Sequence, residues 1–185
     1  MVDPVQERSE VKDRLIRAIG LIEGSMDHRL IPLSGVSIGY AIRGARDING
    51  VVAVKGGIVN EKGSPHAAGP CAFGADKQIA QIILTAMKFN PLMRSAATIR
   101  FSENALAALE EMFLECASFD PAREPHGIST MDWGVASCCK DEVPDVIYDR
   151  GMNQNVALIR ILGENPVDVA NNILILSNRI LHSEI

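Results

Sequence analysis

Residues 75–119, ADKQIAQIILTAMKFNPLMRSAATIRFSENALAALEEMFLECASF, decide the fold. Ile79, Ile82, Ile83, Ala86 and Met87 recur at helical spacing, which predicts a helix over 75–89 that must end before Pro91. Its Ile and Met stripe is core. A strand is expected near 97–101, then a helix with Ser102 as N-cap and Leu106, Leu109 and Phe113 on its apolar face, then a strand at 116–119. This alternation is the rhythm of an α/β domain.

Working towards the N-terminus, Val36, Ile38, Tyr40 and Ile42 alternate with smaller residues as in a strand, and residues 51–55 form a second strand running into Gly56-Gly57. Residues 60–70, rich in Gly, Ser, Pro and His, read as a surface loop. Before them, Val11, Leu15, Ile19 and Ile22 make residues 5–23 an amphipathic helix. Towards the C-terminus, a short helix over 131–139 precedes strands at 146–148 and 156–162. Asn165 as N-cap and Pro166 at the first helical position then open a last helix with Val169, Ile173, Leu176 and Ile180 as its stripe. The early hairpin-like segments make the sheet mixed, with helices on both faces. The expected organisation is a helix within residues 1–29 packed on a single globular unit, 30–185.

At 185 residues, 47% hydrophobic and 22% charged, the chain suits one domain with a sizeable core. A net charge of −5 gives no general attraction to nucleic acid or an anionic membrane, though a local basic pocket remains compatible with phosphate. The N-terminal segment offers one helix where a helix-turn-helix needs two, so direct nucleic-acid binding is not expected. No apolar run reaches the roughly 18 residues of a membrane span, and the polar N-terminus is unlike a secretory signal, so the expected location is cytoplasmic. Cys71, Cys116, Cys138 and Cys139 match no zinc or redox spacing and read as structural thiols. The four histidines fall in predicted loops or termini, and none is placed as a general base.

Ligands of such sheets sit beyond strand ends. Arg43-Gly44 and the following Arg46 and Asp47 come after the first strand; they are phosphate ligands or surface charges. Lys55-Gly56-Gly57 is a close-approach site or a tight turn. Gly74, Lys77 and Gln78 surround the start of the 75–89 helix, whose free N–H groups suit a phosphate, unless Asp76 caps them instead. Ser118 and Asp120 follow one strand and Asp149-Arg150 another; an acid beside a guanidinium fixes its fork for a phosphate or makes a surface ion pair.

The blocks GYAIRGARDINGVVAV, FGADKQIAQIILTAMKFNP, ASFDPAREP, VPDVIYDRG and LIRILGENPVDV, in this order from about Leu30 onward, resemble the ThiN family. The resemblance implies a three-layer α/β/α domain similar to class II aldolases. It implies two functions: joining hydroxymethylpyrimidine diphosphate to hydroxyethylthiazole phosphate, or serving as the ligand-binding part of a thiamine-responsive regulator. Enzyme members carry Gly-Arg-Ile-Val where this chain has Gly56-Gly57-Ile58-Val59, and a histidine where it has Gln78. The family's helix arginine is Gln81 here, its strand asparagine is Ser37, and residues 152–157 lack the family's Gly-Lys-Glu-Pro. Diphosphate departure needs positive charge on the leaving oxygens, and losing one such donor costs about a hundred- to a thousandfold in rate.

The expectation is a domain that binds a phosphorylated small molecule, thiamine phosphate or a precursor, without synthesising it, as a sensor or carrier; the alternative is an active thiamine-phosphate synthase. Expected ligand contacts are Ser37, Arg43, Gly44, Gly56, Gly57, Gly74, Lys77, Gln78, Lys88, Arg100, Ser118, Asp120, Asp149 and Arg150, with no catalytic or metal-ligating residue. Mg²⁺ enters only with a synthase, and a homodimer is the expected assembly.

Overall fold

A computed structural model describes residues 3–127, 131–152 and 157–183. In chain order these form α1 (Pro4–Ser25), β1 (Ile38–Ala41), β2 (Val51–Val54), β3 (Ile58–Glu61), β4 (Ser64–Ala67), β5 (Cys71–Phe73), α2 (Lys77–Phe89), β6 (Ser95–Arg100), α3 (Glu103–Glu111), β7 (Cys116–Ser118), α4 (Trp133–Cys138), β8 (Val146–Tyr148), β9 (Leu158–Gly163) and α5 (Pro166–Ser183).

Seven strands make one sheet in the order β5-β2-β1-β6-β9-β8-β7. Neighbours run antiparallel except β7 and β8, which are parallel. The sheet is therefore mixed, as expected. The strand–helix–strand rhythm of residues 95–118 nevertheless does not make neighbours of β6 and β7, because β9 and β8 lie between them.

Alternation along the strands builds two cores. Ile38, Tyr40, Val52, Val54, Ile99 and Ile159 meet α1, α3 and α5 on one face. Ala41, Val51, Ala53, Ala96 and Ile147 meet α2 and α4 on the other. Small residues dominate the second face, which lets α2 lie close: a Cβ at Gly39 would stand 3.1 Å from Ile83 Cδ1 and 3.2 Å from Ile79 Cγ2. The result is the three-layer α/β/α arrangement. Asp76, Ser102 and Asn165 cap α2, α3 and α5 through their side-chain oxygens.

Residues 60–70 are not a loop. They contain most of the β3–β4 hairpin, turned by Lys62 (φ 50°) and Gly63 (φ 87°), the positive-φ pair of a tight hairpin turn. Its polar composition hid it, because the hairpin leans on α1 with one edge only, Glu23 accepting from the Ala67 N–H at 3.2 Å. Two histidines expected in loops or termini lie in regular structure, His66 in β4 and His182 in α5.

Phe113 does not share the buried face of α3. It ends the helix at φ 60°, 96% exposed, with its N–H bonded to the Glu110 carbonyl and the Leu114 N–H to that of Leu109. That pairing is a Schellman motif, whose left-handed position suits glycine. Phe113→Gly is expected to raise stability by about 1 kcal/mol by removing this strain, measured by urea unfolding; an unchanged or lower midpoint would contradict it.

Candidate functional site

Several of the strand ends expected to carry the ligand converge, the end of β1 not among them. The end of β8, the start of β9 and the residues following β7 meet the N-terminal turns of α2 and α4 around a cavity of about 750 Å³. Its wall includes Gln78 and Gln81 from α2, Phe119 after β7, Trp133 from α4, Asp149 after β8 and Arg160 from β9. A recess of about 340 Å³ adjoins it, sharing Ser34 and Gln78 and lined further by Ser37, Gly56, Gly57 and Lys77.

A buried ion pair sits at the wall of the larger space. Arg160 Nη1 donates to Asp149 Oδ2 at 2.9 Å and to the Leu158 carbonyl at 3.3 Å, while Asp149 Oδ1 accepts from the Gly151 N–H at 2.8 Å. The two side chains are 9% and 7% exposed. The Arg160 guanidinium carbon stands 4.8 Å from the centre of the Phe119 ring, which meets Trp133 edge-to-face at 5.9 Å. Asp132 caps α4 through the Val135 N–H, and its own N–H donates to Thr85 Oγ1 at 2.9 Å, tying α4 to α2.

Charge in the joined spaces is lopsided. Among the described lining residues the Lys and Arg cations are Lys77 and Arg160, against Asp76, Glu124, Asp132 and Asp149. Asp76 Oδ1 accepts from the Ile79 N–H at 3.1 Å, so one donor of the α2 N-terminus is already taken. At Gly57 the backbone is left-handed, φ 73°, and a Cβ would fall 2.8 Å from the Val36 carbonyl oxygen. No group of three or more His, Cys, Asp or Glu side chains among the described residues is placed to hold a metal ion.

Known proteins resemble the chain as a whole. The family described as thiamine-phosphate synthase ThiN matches residues 14–175. This chain belongs to the ThiN family. It is 36% identical over 169 residues to the bifunctional thiamine biosynthesis protein ThiDN of Methanocaldococcus jannaschii, covering 90% of this chain but only 40% of that protein. It is 32% identical over 162 residues to the thiamine-phosphate synthase ThiN of Methanothermobacter thermautotrophicus, covering 83% of this chain and 85% of the relative. The crystal structure of the C-terminal domain of phosphomethylpyrimidine kinase superposes with a TM-score of 0.85 at 31% identity, over 92% of this chain and all of that one. An aldolase II superfamily protein from Pseudomonas syringae, at 10% identity and a TM-score of 0.52 over 98% of this chain and 76% of that one, shares the fold.

In this ThiN domain the recess gathers Ser37, Gly56, Gly57, Lys77 and Gln78, and Asp149 lines the larger cavity. Ser118, Asp120 and Arg150 line a groove of about 270 Å³ that meets the cavity at Phe119 and Pro121. Arg150 is not oriented by its neighbour Asp149. It pairs with Glu103 and lies over Phe101 and Tyr148, 5.1 and 5.7 Å from the ring centres.

The remaining expected contacts line neither space. Arg43 borders a separate groove with Tyr40 and Arg94, beside α1. Arg100 borders another with His28 and Asn60. Lys88 is in the last turn of α2, about 16 Å along the axis from Lys77. Gly44 turns in open space after β1, and Gly74 abuts Asn49 Oδ1 before α2. Burial pushes the thiols of Cys116 and Cys139 up to about 11, keeping both protonated at neutral pH.

Sequence reasoning missed Arg160, Phe119 and Trp133 as wall residues. Arg160 left a signal, because a guanidinium among Ile159, Ile161 and Leu162 is a charge in an apolar strand, and such a residue is buried only with a partner. Phe119 and Trp133 left none beyond being aromatic.

Proposed function

We propose that this ThiN domain binds thiamine phosphate or a related phosphorylated precursor and does not synthesise it. The observation that carries the reading is the recess. Where the resemblance expects an arginine and a histidine stand Gly57, whose Cβ space is filled by the Val36 carbonyl, and the neutral Gln78. Lys77 is the one cation among the described residues there, and the charge of Arg160 next door is offset by Asp149. Such a site offers donors to a resting phosphate but little net positive charge to a departing diphosphate. The reading keeps the protein in the cytoplasm as a homodimer acting as a sensor or carrier; among the described residues no helix is long and apolar enough to cross a membrane.

Isothermal titration is expected to show thiamine phosphate binding with a micromolar or tighter Kd. Incubating the pure chain with hydroxymethylpyrimidine diphosphate, hydroxyethylthiazole phosphate and Mg²⁺ is expected to yield no detectable thiamine phosphate. Absence of heat with thiamine mono- and diphosphate refutes binding; steady turnover refutes the non-catalytic half. The second reading, an active synthase, draws on the 32% identity to a relative bearing that name and on a metal's capacity to neutralise diphosphate by itself. The same turnover assay separates the two.

A further inference from the structure

An arginine carries five N–H donors in a rigid fork. In Arg160 the Nη1 end is used, by Asp149 and the Leu158 carbonyl. Nε is buried without a hydrogen-bond partner, and Nη2 donates to no described residue. Nε–H and Nη2–H point the same way along one edge of the guanidinium, spaced to meet two oxygens of a single oxyanion. That edge is left over while the opposite one is clamped by a carboxylate and one face lies against Phe119. A buried donor left unpaired is costly; Arg160 lines the cavity, and a small shift of its side chain towards an entering acceptor, uncovering the Nε that is now closed to solvent, removes the cost.

We propose that the Nε/Nη2 edge of Arg160 is the phosphate-gripping fork of this cleft, with Asp149 as its positioning residue. The proposal rests on the phosphorylated-ligand reading above and names the side chain that reads the phosphate. The carboxylates of Glu124 and Asp132 share the cavity, so its field does not draw anions in general. Retention comes from two directed, charge-assisted hydrogen bonds, and it favours a phosphate delivered on a ring that fills the space beside Trp133 and Gln81 over a free anion.

The test titrates thiamine phosphate, unphosphorylated thiamine and inorganic pyrophosphate into the wild-type chain, Arg160→Lys and the double variant Asp149→Asn/Arg160→Gln. The lysine variant keeps the charge without the fork, and the double variant keeps an uncharged hydrogen-bonded pair, so neither strands a buried charge; melting curves confirm folding. The wild type is expected to prefer thiamine phosphate to thiamine by about a hundredfold, with Arg160→Lys cutting that preference about tenfold and the double variant abolishing it, while thiamine affinity stays constant. Unchanged preference in both variants overturns the fork and leaves the thiamine reading standing. Pyrophosphate bound by the wild type but not by Arg160→Lys, with no thiamine compound bound, keeps the fork and overturns the thiamine reading. No binding of any of the three overturns both. Should the variants fail to fold, a wild-type crystal grown with thiamine phosphate decides: phosphate oxygens about 3 Å from Nε and Nη2 support the fork, and phosphate elsewhere overturns it.

Discussion

Asp149→Ala is expected to lower the unfolding free energy by about 3 to 5 kcal/mol and the melting temperature by about 10 °C. The cause is the guanidinium left behind. With its carboxylate partner intact, Arg160 is 9% exposed and its charge is offset at 2.9 Å; without it, a nearly dry cation faces Phe119 and apolar strand residues. Removing one member of a buried pair costs more than the pair itself contributes, because the survivor keeps its desolvation penalty. Asp149→Ala combined with Arg160→Met is therefore expected to recover more than half of the loss. Glu103→Ala provides the contrast: it frees Arg150, whose side chain is 56% exposed beside a 68% exposed glutamate, and is expected to cost less than about 1 kcal/mol. Urea and thermal unfolding of the wild type and these three variants measure all of this. A double variant as unstable as Asp149→Ala would assign the loss to lost volume and hydrogen bonds, not to stranded charge.

The same ion pair marks where the sequence was readable and where it was not. Helical stripes named α1, α2 and α5 residue by residue, and the caps Ser102 and Asn165 were visible, because these signals are local and repeat every three or four positions. The hairpin β3–β4 and the short edge strand β5 were not, since three or four residues with polar neighbours give no period to count. At the site, local reading grouped residues adjacent in sequence and paired Asp149 with Arg150. The actual partner of Asp149 is eleven positions on, reached diagonally across the antiparallel β8–β9 register that sets Arg160 opposite Ile147, which a single sequence does not disclose. For the same reason Arg43, adjacent to a strand end like the others, was grouped with them, although it follows β1 at the edge facing α1 and away from the recess.

Gln78→His and Gly57→Arg together are expected to bring synthase turnover up by about a hundred- to a thousandfold over either single variant, at a measurable cost in stability. The two substitutions differ in what the fold asks of them. Gln78 faces both the recess and the cavity from the first turn of α2, and a histidine there needs no backbone change, so Gln78→His is expected to melt within about 2 °C of the wild type. Gly57 is left-handed and its Cβ position lies 2.8 Å from the Val36 carbonyl, whose oxygen accepts the Ile58 N–H at 2.9 Å. An arginine there must shift the turn from Val54 to Gly57 or loosen the bridge between Val36 and Ile58, at about 1 to 3 kcal/mol. Gly57→Ala carries the same strain without the charge and is expected to be equally destabilised yet no more active, so the pair separates conformation from electrostatics. A folded double variant that binds both precursors and still makes no thiamine phosphate would show that the missing cations are not what silences the site.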